Sequence, residues 1–136
     1  MAQQDVRQLR VVITTDDFDA ALRFYRDELG LVEEPAVQSP GGRVAILAAG
    51  RATLEIADTR TAEFIDAIEV GKRVAGPIRL AFEVSDVHGA VNRLADAGAM
   101  LLAPARPTPF KSTNARLEGP AGLQLTLFEP DAPEDA

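Results

Sequence analysis

Near the start of the chain, a continuous run of apolar residues is followed by apolar residues at helical spacing. Residues 9–13 form a short apolar run that is typical of a β-strand. Helical spacing follows on Phe18, Ala21, Leu22, Tyr25 and Leu29. Asp16 or Asp17 is placed to cap the start of this helix, and Gly30 stands where it should end. The pattern predicts a strand followed by an amphipathic helix.

The same strand and helix pattern returns later in the chain at a constant offset. Residues 78–84 are strand-like, Ser85 and Asp86 offer a cap, and a helical stripe follows on Val87, Ala90, Val91 and Leu94. Arg10 and Arg79 lie 79 − 10 = 69 positions apart. The same offset relates Asp17 to Asp86, Ala21 to Ala90 and Asp27 to Asp96. A shared offset through strand, cap and helix indicates an internal duplication.

Three further strand patterns follow each predicted helix, separated by turns that contain glycine or proline. In the first half these patterns occupy residues 31–37, 43–48 and 52–58. In the second half they occupy residues 100–103, 114–118 and 123–129. The unit is therefore βαβββ, written twice. The predicted fold class is α+β, with two tandem βαβββ modules forming one cupped mixed sheet.

This arrangement divides a single domain of residues 1–136. The predicted order is module one at 7–70, a linker at 71–77, module two at 78–130 and a disordered acidic tail at 131–136. Residues 61–70 add a short helix with Phe64, Ile65 and Ile68 on one side. That side either caps a cleft or packs into the core, which is the commoner use of such a stripe.

Composition and charge narrow the classes of partner. The chain has no cysteine, which removes disulfides and thiolate chemistry and favours a cytoplasmic location. A net charge of −7 repels phosphate backbones, so no nucleic-acid partner is expected. No apolar run is long enough to cross a bilayer, so no membrane partner is expected either. The acidity favours solubility, and the alternative is attraction of a cationic ligand.

Alternation along the predicted strands gathers polar side chains on one face. The floor of a ligand cleft would take residues from four strands: Arg10, Val12 and Thr14; Thr53, Glu55 and Ala57; Arg79, Ala81 and Glu83; and Gln124, Thr126 and Phe128. The opposite faces, with Leu9 and Ile78 among them, are apolar and suit packing under the helices. Alternatively, the polar faces are simply exposed to water, as in many antiparallel sheets.

Three stretches resemble the vicinal-oxygen-chelate superfamily, which includes glyoxalases, bleomycin-resistance proteins and dioxygenases. Residues 17–31 resemble its D-x-x-x-x-x-x-F-Y-x-x-x-L-G signature, and residues 118–129 are similar to its D-P-x-G-x-x-x-E-L ending. Residues 78–86 supply the third stretch. The resemblance implies the paired-module fold, a small-molecule ligand and a homodimer. It does not imply one activity, because the superfamily includes both enzymes and drug-binding proteins.

The resemblance also implies where a metal would be held in metal-dependent members. The first-strand positions fall at Arg10 and Arg79, and the last-strand positions fall at Glu55 and Thr126. Only Glu55 matches the family pattern, because a guanidinium stays protonated and has no acceptor for a cation. His88, the only histidine, is expected on the surface of the second helix. We therefore expect neither a metal nor another cofactor.

The residues at these positions leave two uses open. Glu55 either neutralises Arg10 or Arg79 in a structural ion-pair network, or the arginines hold a ligand carboxylate, phosphate or carbonyl. Glu55 or Glu83 is a conceivable general base. Phe110 either stacks on a planar ligand or anchors its loop. No Ser/His/Asp set and no phosphate-binding loop can be assembled from the sequence.

Three functions follow from these features. The first is a metal-independent binding protein that sequesters an antibiotic or an aromatic metabolite, and it is preferred over catalysis. The alternative is an enzyme of the same fold, a lyase, isomerase or dioxygenase, with a non-standard metal or acid–base site. The third is an interaction module. The ligand-binding residues would be Arg10, Val12, Thr14, Glu55, Arg79, Glu83, Phe110 and Thr126. Whether Arg10 and Arg79 share a cleft within one chain stays open at this point.

Overall fold

The computed structural model describes residues 6–38, 40–74 and 76–132. The strands are β1 (Val6–Thr15), β2 (Val32–Glu34), β3 (Val44–Ala49), β4 (Ala52–Asp58), β5 (Ile78–Val84), β6 (Met100–Thr108), β7 (Ser112–Glu118) and β8 (Gln124–Pro130). The helices are α1 (Phe18–Leu22), which continues as a π-helical segment (Arg23–Glu28), α2 (Thr59–Glu69) and α3 (Val87–Asp96). None of the helices in these described ranges is long and apolar enough to span a bilayer.

All eight strands form one mixed sheet in the order β2-β3-β4-β1-β5-β8-β7-β6. Each module contributes four neighbouring strands, and its first strand is parallel to its last: β1 to β4 and β5 to β8. The modules join where β1 runs antiparallel to β5 at the centre of the sheet. This topology confirms the predicted α+β fold of two βαβββ units and joins both units within one chain.

Aspartates set the starts of the helices. Asp17 accepts a hydrogen bond from Ala20 N at 3.1 Å, and Asp86 accepts one from Gly89 N at 3.1 Å, so the duplicated cap is confirmed in both modules. Asp16, the other candidate, instead accepts a hydrogen bond from the Thr59 hydroxyl at 2.6 Å. Helix α2 begins two residues earlier than predicted because Asp58 caps it.

Two strand lengths differ from the prediction, and prolines occur at both places. Residues 31–37 were expected to form one strand, but β2 ends at Glu34, directly before Pro35. Strand β6 was expected to end at residue 103 and instead reaches Thr108 through Pro104 and Pro107. Because β6 lies at the edge of the sheet, its prolines interrupt no ladder on the outer side. The predicted loop between β6 and β7 is therefore a tight hairpin.

The core lies between the sheet and the helices α1 and α3, with one cluster in each module. Under α1 the buried residues are Phe18, Leu22, Ala45, Leu47 and Ile56. Under α3 they are Val84, Val87, Ala90, Val91, Ala115, Leu117 and Leu127. Ile78 was expected on the buried face and is 50% exposed, because only the far end of β5 packs under α3. Of the predicted tail, residues 133–136 lie outside the described residues.

Candidate functional site

A cavity of about 290 Å³ opens on the face of the sheet opposite α1 and α3. Its floor comes from the four central strands: Arg10 and Val12 of β1, Glu55 of β4, Arg79, Ala81 and Glu83 of β5, and Thr126 and Phe128 of β8. Its walls come from α2, the segment after β2 and the β6–β7 hairpin. Val12, Ala81 and Phe128 form a buried apolar cluster at the centre of this floor.

Strand register explains why these side chains meet. Val12 pairs with Glu55 on one side and with Arg79 on the other. One row along, Ala81 pairs with Arg10 and with Thr126. Directly opposed residues on neighbouring strands point to the same face of a sheet. The four positions implied by the resemblance therefore lie around one cavity of a single chain, which answers the question left open by the sequence.

Seven of the eight candidate binding residues line this cavity, and Thr14 does not. Thr14 lines a separate depression with Asp16, Thr59 and Arg73. It shares a strand face with Arg10 and Val12, but α2 starts at Thr59, beside the end of β1. The first turn of this helix stands between Thr14 and the cavity. Thr14 was predicted to line the cavity and does not. A ligand-binding role for the other seven residues stays a prediction.

Arg79 is a buried cation with unused donors. The residue is 7% exposed, and its Nη1 donates to the Thr126 hydroxyl at 2.7 Å. Within the described chain no carboxylate oxygen lies within 4.0 Å of its guanidinium. Burial lowers the pKa of Arg79, but a guanidinium remains protonated near neutral pH. Its remaining N–H groups are available to a ligand, because Arg79 lines the cavity.

Arg10 lies at the other side of the floor and is only half-buried. Its Nε donates to Gln8 Oε1 at 2.9 Å. Its guanidinium carbon lies 4.9 Å from the centre of the Phe128 ring, which is a cation–π distance. Arg10 thus combines an aromatic contact with donors that reach the cavity.

Glu55 faces the cavity from β4, beside the strand that carries Arg10. Burial raises the pKa of the Glu55 carboxyl above its usual value, and the charges of Arg79 and Arg10 only partly offset that effect. Among the residues that the structure describes, none donates a hydrogen bond to this carboxylate, and neither arginine comes within 4.0 Å of it. The proposed contact ion pair between Glu55 and an arginine is therefore not formed. A half-buried carboxylate with a raised pKa that faces a cavity can accept a proton from a ligand.

The structural ion-pair network forms elsewhere, from residues that the sequence analysis missed. Arg116 of β7 is fully buried and contacts Asp66 at 2.9 Å and Glu69 at 3.0 Å, both on α2. Asn114 donates to the second oxygen of Glu69 at 2.9 Å. Helix α2 therefore lies on the concave face of module two. The signal in the sequence was a pair of acids three residues apart on the apolar side of α2, facing an alternating polar pattern in β7.

Phe110 and His88 have different surroundings. Phe110 lines the cavity from the β6–β7 turn, where Lys111 adopts a φ of 62°. Its ring meets Phe64 of α2 edge to face, with 6.1 Å between the centroids. This contact favours the anchoring role, and stacking on a ligand stays a prediction. His88 is exposed at the start of α3, as expected.

The donor set does not fit a divalent metal ion. Two of the four family positions hold guanidiniums, which repel cations, and the Thr126 hydroxyl is already bonded within the protein. No group of three or more His, Cys, Asp or Glu side chains that could hold a metal occurs in the described ranges. We therefore derive no chemical step through a metal.

Comparison with known proteins points in the same direction as the fold. Residues 7–127 match the family model described as Glyoxalase/Bleomycin resistance protein/Dioxygenase superfamily. No protein of curated function matches the sequence.

Solved structures of similar fold have low sequence identity. A hypothetical protein from Bacillus halodurans C-125 is 18% identical, with a TM-score of 0.68 over 93% of this chain and 96% of its own. A Streptomyces coelicolor methylmalonyl-CoA epimerase in complex with 2-nitronate-propionyl-CoA is 21% identical, with a TM-score of 0.68 over 98% and 100%. The Mycobacterium tuberculosis methylmalonyl-CoA epimerase is 23% identical, with a TM-score of 0.62 over 96% and 89%. These similarities show the fold alone.

Proposed function

Because this chain belongs to the Glyoxalase/Bleomycin resistance protein/Dioxygenase superfamily, we propose that it is an enzyme with a metal-free acid–base site. Its substrate would be a small carbonyl compound that carries a carboxylate, and its reaction would move a proton on the carbon next to the carbonyl. The observation that carries this proposal is the state of Glu55. Its carboxylate faces the cavity, has a raised pKa and receives no hydrogen bond from any residue in the described part of the chain.

Glu55 is assigned the role of general base. A carboxylate in water is a weak base, and desolvation strengthens it by penalising the charged form. Val12, which pairs with Glu55 across the strands, belongs to the apolar cluster of the cavity floor. Most buried carboxylates in folded proteins are hydrogen-bonded, as Glu69 is here, so an acceptor without a donor at a cavity suits proton transfer.

Arg79 is assigned the stabilisation of the charge that develops on the carbonyl oxygen. When Glu55 takes the proton, the C–H electron pair moves into a new C=C bond and the carbonyl electrons move to oxygen. Arg79 can donate to that oxygen from a fixed, water-poor position, where such a bond is strongest. Return of the proton from Glu55 to carbon restores the ketone. Arg10 can hold the carboxylate of the substrate through its free donors.

The proposal extends, as a class, the activity named for two similar structures. Both are called methylmalonyl-CoA epimerases, and one holds 2-nitronate-propionyl-CoA. An epimerase inverts a carbon centre, which a proton removed and returned can do. Since identities of 21% and 23% show only the fold, the residues of this cavity support the proposal and the names do not define its substrate.

Proton exchange in heavy water tests the proposal. Pyruvate and phenylpyruvate serve as probes, because each joins a carbonyl, a carboxylate and acidic neighbouring protons. The protein should speed deuterium incorporation measured by proton NMR. Glu55→Gln should abolish this acceleration while the protein stays folded, because the amide keeps the size of the side chain and loses its basicity. Acceleration that persists in Glu55→Gln would exclude Glu55 as the base.

Sequestration without chemistry is the second candidate function, and the cation–π contact of Arg10 with Phe128 favours it. A planar metabolite or antibiotic could bind beside these groups. A thermal-shift screen with aromatic acids and antibiotics separates the candidates. Stabilisation by a compound that undergoes no exchange supports sequestration. An absence of any thermal shift would favour an interaction module.

A homodimer in the cytoplasm is part of the same proposal. Phe24, Leu29 and Val32 are each at least 60% exposed near the edge strand β2, and apolar surface of this kind supports self-association. Light scattering after size exclusion should give twice the chain mass, and a monomer at micromolar concentration would contradict the dimer. The net charge of −7 continues to disfavour a nucleic-acid partner.

A further inference from the structure

We propose that Thr126 and Glu69 are positioning residues that orient Arg79 toward the cavity, an inference that rests on the function proposed above for Arg79. Glu69 fixes the direction of the Thr126 hydroxyl, and that hydroxyl fixes the Arg79 guanidinium. None of the resemblances to known proteins assigns a role to Glu69, because it lies on the connecting helix α2.

All bonding capacity of the Thr126 hydroxyl is in use. A hydroxyl has one hydrogen and two lone pairs. The hydrogen is donated to Glu69 Oε1 at 3.0 Å. The lone pairs accept from Arg79 Nη1 at 2.7 Å and from Arg116 Nε at 3.2 Å. Since the only acceptor that the described residues offer to this hydroxyl is Glu69, its lone pairs must point toward the two arginines.

Glu69 is itself held in place from two sides. Arg116 donates to Oε1 from Nη2 at 3.0 Å, and Asn114 donates to Oε2 at 2.9 Å. Glu69 and Thr126 are each 2% exposed, so water does not compete for these bonds. A buried hydrogen-bond network in which every group is satisfied is rigid. Arg79 is bonded to this network through Thr126, so the network restricts the orientation of its guanidinium.

Thr126 also separates opposite charges. Burial lowers the pKa of Arg79 and the charge of Glu69 only partly offsets that effect, yet the described residues give Arg79 no contact ion pair within 4.0 Å. The Thr126 hydroxyl bonds to both residues and so lies between the Glu69 carboxylate and the Arg79 guanidinium. The charge of Glu69 therefore acts on Arg79 without a direct contact, and the donors that Thr126 leaves unused stay available to a ligand. This explains how a buried arginine can be held and still bind.

The rotation of the Arg79 guanidinium tests this inference without any substrate. Nitrogen-15 NMR distinguishes Nη groups that rotate slowly from those that average, and the Arg79 signals are assigned by their loss in Arg79→Lys. We expect separate Nη signals in the unmodified protein and in Thr126→Ser, which keeps the hydroxyl. We expect averaged signals in Thr126→Val, which keeps the shape and loses the hydroxyl.

Thr53→Val is the matched control. Thr53 is also a buried threonine on the concave side, but its hydroxyl has no hydrogen-bond partner among the described residues. This variant should leave the Arg79 signals unchanged. Separate, slowly rotating Arg79 signals in Thr126→Val would overturn the inference. If Thr126→Val does not fold, Thr126→Ala lacks the same hydroxyl and is measured in its place.

Kinetics separate this inference from the proposed function. With pyruvate in heavy water, Thr126→Val should lower kcat for exchange by about ten- to a hundredfold, the range expected for a lost bond to a charged group. Thr53→Val should stay near the starting rate, because Thr53 does not line the cavity, and Thr126→Ser should recover most of the rate lost in Thr126→Val. If the unmodified protein accelerates no exchange, the proposed function fails, and the NMR signals still decide whether Thr126 positions Arg79. A normal kcat in Thr126→Val would show that the orientation of Arg79 does not serve catalysis.

Discussion

Equivalent positions in the two modules have opposite surroundings. Glu55 in module one faces the cavity and receives no hydrogen bond from the described residues, whereas Thr126 in module two is bonded to three side chains. The scaffold beneath them is the same, since Val12 and Ala81, which are 81 − 12 = 69 positions apart, pair with Glu55 and Thr126. The second half of α2 makes the difference, because Asp66 and Glu69 bond to Arg116, Asn114 and Thr126 of module two.

The comparison shows how a duplicated fold can separate binding from stability. In module two, Asp66 and Glu69 of α2 neutralise Arg116 and fill the concave face. In module one, the corresponding face lines the cavity with Glu55, which receives no hydrogen bond from the described residues. A duplicated chain therefore does not need two equal sites. One copy can hold the connecting helix while the other contributes the reactive group.

The largest expected effect comes from the network of module two. Arg116→Met would remove the buried cation that Asp66 and Glu69 share, which should cost about 3–5 kcal/mol of unfolding free energy. Urea denaturation followed by circular dichroism measures this loss. A loss within experimental error would mean that α2 does not depend on Arg116, and the contrast between the two faces would then be one of shape alone.

Removal of the Arg79 side chain should weaken ligand binding in the cavity that the modules share. Arg79→Ala should reduce pyruvate binding by about 2–5 kcal/mol, because the carbonyl of the ligand loses a buried charged donor. Arg10→Ala should have a smaller effect, since Arg10 is half-exposed and water can replace it. Titration calorimetry compares the two variants. Equal losses, or an unchanged Kd in Arg79→Ala, would contradict the assigned role.

The helical side of the sheet should behave alike in both modules. Leu22 of α1 and Val91 of α3 occupy equivalent places on the buried sides of their helices, with 9% and 8% exposure. Leu22→Ala should cost roughly 2–5 kcal/mol of stability. Val91→Ala should cost less, by about 0.8 kcal/mol for each carbon group that valine lacks relative to leucine. Thermal or urea unfolding checks both values, and a negligible loss in Leu22→Ala would show that the helix face was assigned wrongly.

The smallest effect concerns the stability of module one as a function of pH. Burial raises the pKa of Glu55, so the folded protein holds this proton more tightly than the unfolded chain does. Glu55 therefore destabilises the fold above its raised pKa and ceases to do so below its usual value. Glu55→Gln should raise the unfolding free energy at neutral pH, and the gain should vanish as the pH falls through that window. A difference that does not change with pH would contradict this account.

Local patterns predicted most of the floor of the cavity, but Thr14, Thr53, Ala57 and Gln124 do not line it. The two-residue period grouped the side chains within each strand, and the family resemblance implied that Arg10, Glu55, Arg79 and Thr126 lie together. The offset of 69 positions aligned the modules correctly through cap, strand and helix. These features depend on neighbours in sequence, where a single chain carries a clear signal.

The missing parts depend on contacts between distant residues. Arg116 bonds to Asp66 and Glu69, which lie 50 and 47 positions away in the sequence. The spacing of apolar residues along one helix does not indicate which part of the sheet that helix contacts. Thr14 was placed in the site because its face is correct, but the start of α2 lies between it and the cavity. Alternation brought Glu55 near two arginines and did not determine whether their charged atoms would touch.

The meeting of β1 and β5 at the centre of the sheet has a consequence for chain exchange. Each is the first strand of its module, and their antiparallel contact has the same form whether one chain or two supply the strands. A deletion between Glu69 and Ile78 that leaves too few residues to reach back would force module two to dock on another molecule. The product would be a domain-swapped dimer whose two cavities each combine Glu55 of one chain with Arg79 of the other.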